Sequence, residues 1–138
     1  MRLRPAYYTD EKLLFEWRKQ DEENDWWHGD GVTEDGHERW LHQRLTSPSV
    51  QLFVAEVDSL LVGQLRVDSN GEISYSVDKN HRNHGYGKEM VTLGTRMAAS
   101  LHGRVKANVD KSNEAGIRTL LSAGFVLRDD VAFYRFPK

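Results

Sequence analysis

The stretch His81-Arg82-Asn83-His84-Gly85-Tyr86-Gly87-Lys88 constrains this chain more than any other. Before it lies Ile73-Ser74-Tyr75-Ser76-Val77, an alternating run with the period of a β-strand. After it come Tyr86, Met90, Leu93, Met97 and Leu101, spaced by four, three, four and four, which is one face of a helix. A strand that passes through a glycine loop into a helix N-terminus leaves the first amides of that helix without intrahelical partners. The helix dipole adds roughly half a positive charge there. Gly85 and Gly87 allow close backbone approach and φ values closed to other residues. Arg82 and Lys88 add full charges at either end. The combination suits a pyrophosphate.

Two familiar phosphate loops do not match. A Walker A loop requires Ser or Thr after Gly-Lys, and Gly87-Lys88 is followed by Glu89. A dinucleotide fingerprint requires a third glycine where Met90 stands. What remains is Arg-x-x-Gly-x-Gly after a strand, carried by Arg82, Gly85 and Gly87. Taken alone, it also describes a tight strand-to-helix turn. It resembles the pyrophosphate loop of the GCN5-related N-acetyltransferases (GNAT), which hold the diphosphate of acetyl-coenzyme A.

The chain has 138 residues, enough for one domain spanning 1–138 with a real core. It contains no cysteine, which excludes disulfides, cysteine metal sites and a cysteinyl acyl-enzyme and suits a cytoplasmic protein. Met1-Arg2-Leu3-Arg4-Pro5 lacks the apolar stretch of a signal peptide, and no run has the length of a membrane span. With a net charge of −2 and interspersed signs, nucleic acid is not the expected partner. A small anionic ligand suits the local basic cluster better, and the chain is expected to be a monomer or homodimer.

Arg2 to Tyr8 reads as a strand, and Thr9-Asp10-Glu11 as the cap of a helix carrying Leu13, Leu14 and Trp17 inward. Asp21 to Gly31 reads as a loop, despite Trp26 and Trp27. Thr33-Glu34-Asp35 caps a second helix with Trp40, Leu41 and Leu45 on one side, ended by Ser47-Pro48-Ser49. Gln51 to Val57 and Leu60 to Val67 form a hairpin about Asp58-Ser59, and Ser69-Asn70-Gly71 turns into the strand that starts near Glu72. Arg104 to Val109 reads as a strand. Ser112-Asn113-Glu114 caps a short helix with Ile117, Leu120 and Leu121 inward, and Gly124 stops it. Phe125 to Leu127 and Val131 to Phe136 close the chain around Asp129-Asp130.

That order of elements is similar to the GNAT order across essentially the whole chain. Asn113-Glu114-Ala115-Gly116 and the later Gly124-Phe125 resemble a second family segment. The resemblance implies an α+β fold with a mixed, mostly antiparallel sheet, splayed at the cofactor site and covered by helices on both faces. It implies that acetyl-coenzyme A (coenzyme A) is the co-substrate, without a metal. By position, the loop residues Arg82, Asn83, His84, Gly85, Tyr86, Gly87 and Lys88 would hold the diphosphate. Backbone amides of Ser76, Val77 and Asp78 would hold the pantetheine arm and orient the carbonyl, and the Asn113 side chain would bond that arm.

Direct acetyl transfer needs a neutral amine, a donor for the carbonyl oxygen and a proton for the departing thiolate. An alkylammonium titrates near about 10, so a base must take its proton at neutral pH. Glu72 is the candidate base, set against the alternative of a solvated glutamate after a turn. Family members often carry a tyrosine as acid seven residues after the asparagine, and here that position is Leu120. Tyr134 is the candidate acid, or is buried with Phe133 and Phe136. Tyr75 reads as core or substrate wall. His28, His37, His42, His81, His84 and His102 make no recognisable zinc pattern, so no metal is expected. One of Trp26 and Trp27 is expected to line an acceptor pocket or a partner surface.

Leu3-Arg4-Pro5, Leu14-Phe15-Glu16-Trp17-Arg18 and His37-Glu38-Arg39-Trp40-Leu41 resemble the branch that includes nucleotide-amino-sugar and ribosomal-protein N-terminal acetyltransferases. The resemblance implies an N-acetyltransferase acting on a primary amine, a nucleotide-linked amino sugar being the expected small-molecule substrate. A protein N-terminal amine, or a coenzyme-binding module without turnover, are the alternatives.

Overall fold

Alternating apolar runs become strands and the four-three spaced runs become helices, largely where the pattern puts them. The computed structural model describes residues 1–23, 31–47 and 49–136, so the expectations for Trp26, Trp27 and His28 lie outside the described residues. Along the chain run β1 (Arg2–Pro5), a 3-10 turn over Tyr8–Asp10, α1 (Glu11–Glu22), α2 (Glu34–Thr46), β2 (Gln51–Val57), β3 (Leu60–Val67) and β4 (Ile73–Val77). A second 3-10 turn over Lys79–His81 leads to α3 (Tyr86–His102), β5 (Lys106–Asn108), α4 (Glu114–Ser122), β6 (Phe125–Arg128) and β7 (Val131–Tyr134).

Four boundaries differ from the sequence reading. The first strand ends at Pro5, because Asp10 does not cap α1. Its carboxylate instead accepts from Arg4 Nη1 at 2.9 Å, Arg4 Nη2 at 2.8 Å and the Tyr7 amide at 2.8 Å, which folds Tyr8–Asp10 into the 3-10 turn. Asp21 belongs to the last turn of α1, not to the loop after it. The last strand ends at Tyr134, and β5 keeps three residues.

One sheet has the order β1-β2-β3-β4, antiparallel throughout, and a second has the order β5-β7-β6. Among the described residues, the two sheets share one ladder contact, the parallel bridge between Glu72 and Lys106. Gly71 makes that contact possible. It sits at φ +82°, and a Cβ there would collide with the Arg104 carbonyl oxygen, so only glycine lets the turn seat against the returning chain. The Lys106 amide donates to the Gly71 carbonyl at 3.1 Å. Beyond this point β4 and β5 diverge. The expected splay is therefore present.

Helices cover both faces, as expected. On one side Leu14 and Trp17 of α1 and Leu41 of α2 pack on Leu52 and Val54. On the other, Met90, Val91 and Ala98 of α3 and Leu120 of α4 pack on Phe53, Ala55, Val62, Leu65 and Ile73. The alternation along β2 thus feeds two cores, one per face. Leu101 and Leu121, read as inward, are exposed.

Candidate functional site

The divergence of β4 from β5 opens a cavity of about 850 Å³ that continues beneath α1 and α2. Its size falls in the range of small-ligand pockets. One end is lined by Arg82, Asn83, Gly85, Tyr86, Gly87 and Lys88, the middle by β4 and α4, and the other end by Leu14, Arg18, Asp21, His37 and Trp40.

The loop end is built by backbone. Gly85 is the N-cap of α3 at φ +79°, with no side-chain cap. The amides of Tyr86, Gly87 and Lys88 follow it at the open end of the helix, where helical geometry gives them no intrahelical acceptor. Asn83 also has positive φ, +68°. Nothing lies within 4 Å of where a Gly85 Cβ would point, so the space in front of the loop is open. Gly87 is different. Its φ is ordinary, and a Cβ there would meet Tyr75, Val77 and Thr119 at 3.6–3.8 Å, normal contact distances. The conformational need anticipated at both glycines exists at Gly85 alone. Of the loop residues expected to hold a ligand, His84 does not line the cavity; its ring lies 5.4 Å from that of Tyr86.

Strand parity decides which β4 amides face the cavity. The Asp78 amide donates to Val62 of β3 at 2.8 Å, and the Glu72 carbonyl accepts from Asp68 at 2.8 Å. In an antiparallel ladder a residue's N–H and C=O point the same way, so Glu72, Ser74, Ser76 and Asp78 turn toward β3. The odd-numbered residues turn to the open edge, where the Val77 carbonyl accepts from Arg82 Nε at 3.2 Å. The expectation for Ser76, Val77 and Asp78 is therefore corrected: Val77 presents its amide to the cavity and Tyr75 joins it, while the amides of Ser76 and Asp78 point away.

Asp78 has other work. Its carboxylate accepts from Trp17 Nε1 at 3.0 Å, Gln20 Nε2 at 3.5 Å and the Asn80 amide at 3.0 Å. Burial opposes the charge, but the Asn80 amide and the Trp17 and Gln20 side chains hold the carboxyl below its usual range. Gln20 Oε1 also accepts from the Lys79 amide at 3.0 Å. Trp17, 1 % exposed, thus locks α1 onto the start of the phosphate-type loop.

Neither catalytic candidate from the sequence reaches the cavity lining. Glu72 sits at the bridge, its Oε1 accepting from Asn108 Nδ2 at 3.2 Å. Tyr134 is half-buried, tilted against Phe125 at 5.5 Å and edge-on to Phe136 at 5.1 Å, while Phe133 and Phe136 are exposed, so the aromatics of this strand are not buried together as the alternative reading expected. Asn113 does line it, with Oδ1 accepting from the Gly116 amide at 3.0 Å as the cap of α4 and Nδ2 left as a donor. Leu120, in the position of the usual tyrosine, is 2 % exposed.

Among the titratable side chains that line the cavity instead, Tyr75, Asp21 and His37 were not singled out by the sequence as catalysts. The Tyr75 hydroxyl bonds the Thr119 side chain, and burial pushes its pKa up, so the phenol keeps its proton. Asp21 meets the Ser76 hydroxyl from α1. That hydroxyl also accepts from Gln64 Nε2 at 3.1 Å, which aims its own hydrogen at Asp21. Burial lifts the Asp21 carboxyl to about 6, although Arg82 and Arg18 pull against it. His37 lies between Phe15 and Trp40, at 5.5 and 5.3 Å, with Nδ1 3.5 Å from Glu11 Oε1. Burial keeps its pKa below the ordinary value despite Glu11, so it is neutral at pH 7. Among the described residues, no group of three or more His, Cys, Asp or Glu is placed to hold a metal, and no helix is long and apolar enough to cross a membrane.

Comparison with known proteins agrees with this architecture. Residues 1–126 match the family model described as an acetyltransferase (GNAT) domain. No curated protein matches the chain. A crystal structure of spermidine N-acetyltransferase from Vibrio cholerae in complex with CoA and spermine superposes with a TM-score of 0.80 at 15% identity, covering 96% of this chain and 92% of that one. Ribosomal-protein-alanine N-acetyltransferase from Brucella melitensis gives 0.77 at 21% identity, covering 96% and 97%. An acetyltransferase of the GNAT family from Streptococcus pneumoniae gives 0.68 at 17% identity, covering 96% and 95%. At these identities the likeness is one of fold.

Proposed function

The chain belongs to the GNAT acetyltransferase family, and from that premise we propose that it transfers acetyl from acetyl-coenzyme A directly to a small primary amine. One observation carries the reading. The open N-terminus of α3, flanked by Arg82 and Lys88, and the unpaired edge of β4 line the same cavity. A ligand with a diphosphate at one end and an amide-bearing arm at the other satisfies both. The loop would hold the diphosphate, the Val77 and Tyr75 backbone would pair with the arm, and Asn113 Nδ2 would add a donor. The Tyr75 phenol, protonated and steadied by Thr119, is the group assigned to protonate the departing thiolate in place of the absent tyrosine.

For the acceptor we keep the nucleotide-linked amino sugar as the first reading. Arg18 and Trp40 stand at the end of the cavity away from the loop and suit a phosphate and a base. A peptide N-terminus is the second. The cysteine-free sequence keeps the cytoplasm as the assigned compartment.

Coenzyme A should raise the melting temperature by the linkage between ligand concentration and affinity, and ATP and NAD, which lack the arm, should raise it much less. Equal shifts from all three would reduce the loop to a generic phosphate site. Turnover of acetyl-coenzyme A with a panel of amino sugars, polyamines and peptides then identifies the acceptor class. Coenzyme binding without turnover of any amine would leave a binding module.

A further inference from the structure

We propose that Asp21 is the catalytic base of this site, receiving the acceptor amine and taking its proton. The inference rests on the acetyl-transfer reading and adds to it a residue that the sequence hides at the end of a helix.

The geometry points to Asp21 in three ways. It lines the cavity from α1, close against β4, along which a thioester would lie for an acceptor to meet. The Ser76 hydroxyl, oriented by Gln64, reaches it from β4 and fixes where the carboxylate sits. Trp17, one turn earlier, and Gln20, the residue before it, pin α1 to Asp78 and Lys79, so the carboxylate is held on a rigid element. Glu72, in contrast, is bonded to Asn108 outside the lining. His37 faces the same cavity, but its Nδ1 turns toward Glu11 Oε1, 3.5 Å away.

In the transfer, the amine nitrogen bonds the acetyl carbon as the carbon–sulfur bond breaks. Asp21 first takes one proton from the ammonium form of the acceptor and passes it to water; the now neutral nitrogen gives up a second proton to the same carboxylate as the amide forms, while the sulfur takes its proton from Tyr75, which regains one from solvent. No further reactant is needed. A carboxyl with a pKa near 6 is mostly ionised at pH 7 and accepts a proton more readily than an exposed aspartate. Among the described residues, the groups acting on it include Ser76 on β4, Arg82 in the loop, and Arg18 and Glu22 on its own helix.

The experiment compares wild type, Asp21→Asn and Arg18→Gln across pH 5 to 9 with the amine panel, with coenzyme-induced stabilisation confirming each fold. Asp21→Asn should lower kcat/KM by about 10²–10⁴-fold at pH 7. The deficit should shrink toward pH 9, where free amine is more abundant. Arg18→Gln, which removes a charge that lowers the Asp21 pKa, should shift the acidic limb to higher pH. Independent of activity, Asp21→Asn should melt higher than wild type at pH 7 and equally below pH 4. An Asp21→Asn protein with wild-type rates, or with the same deficit at every pH, overturns the assignment while leaving acetyl transfer intact. Wild type that binds coenzyme A but acetylates nothing overturns both.

Discussion

On the proposed donor side of the cavity, the amides of Tyr86, Gly87 and Lys88 stand at the open end of α3, with the Arg82 and Lys88 side chains beside them. On the acceptor side, Asp21, His37 and Trp40 come from two helices and act through side chains. The donor side is read by main chain, which tolerates changes of residue type but not of backbone conformation. The acceptor side depends on side-chain identity and on how α1 and α2 pack over the sheet. A cofactor shared by many enzymes calls for the first construction. A particular substrate calls for the second.

The largest expected effect tests the donor side alone. Gly85→Asp places a carboxylate in the open space before the α3 amides and should weaken coenzyme A by about 100-fold or more, since like charges in contact cost several kcal/mol. Isothermal titration measures this, and unchanged affinity in a folded variant would remove the loop from the site. Tyr75→Phe sits between the two sides. It should lower kcat by about 10²-fold, the low end for a positioned proton donor, with coenzyme affinity kept. A normal kcat would return Tyr75 to the role of wall.

A smaller effect is expected at Asn113→Ala, which removes the cap of α4 and should cost about 1 kcal/mol in urea unfolding. If coenzyme affinity also drops, the Asn113 amide belongs to the donor side; if only stability drops, it is a cap. The last is a change in stability with pH. The Asp21 carboxyl is raised to about 6, so the folded state holds a proton between pH 4 and 6 that the unfolded state has released. Stability from this group is therefore lost as pH rises through that window. Asp21→Asn should raise the melting temperature at pH 7 and not at pH 4. The acceptor side would then be kept at a cost to stability.

The strands and helices are legible because their information is local. Alternation writes β2 through β4, and Tyr86, Met90 and Met97 write α3. The glycine loop is legible for the same reason. Asp21 is not, since the apolar stripe of α1 ends at Trp17 and the next turn is polar. That turn is buried in part because Gln20 bonds Asp78 and Lys79, residues 58 and 59 positions away. Hydropathy carries no trace of such a bond. The amide parity of β4 was equally hidden, because it follows from pairing with Val62 and Asp68 rather than from any property of Ser76 or Asp78. Asp10 misled for the opposite reason: its local context is that of a helix cap, but a distant-facing Arg4 claims both oxygens.

The Glu72–Lys106 bridge has a consequence for how the unliganded protein behaves in solution. Past that single contact, Tyr75 carries a main-chain donor and acceptor and Val77 a donor that meet no partner strand among the described residues, a template on which another extended chain can grow. Helices and the loop close around this edge, but the gap that admits a narrow arm remains. The arm of a bound coenzyme would complete the sheet as a surrogate strand. Occupancy would then guard against self-association as well as supply acetyl groups, and the protein should keep longest, free of aggregates, when stored with coenzyme A.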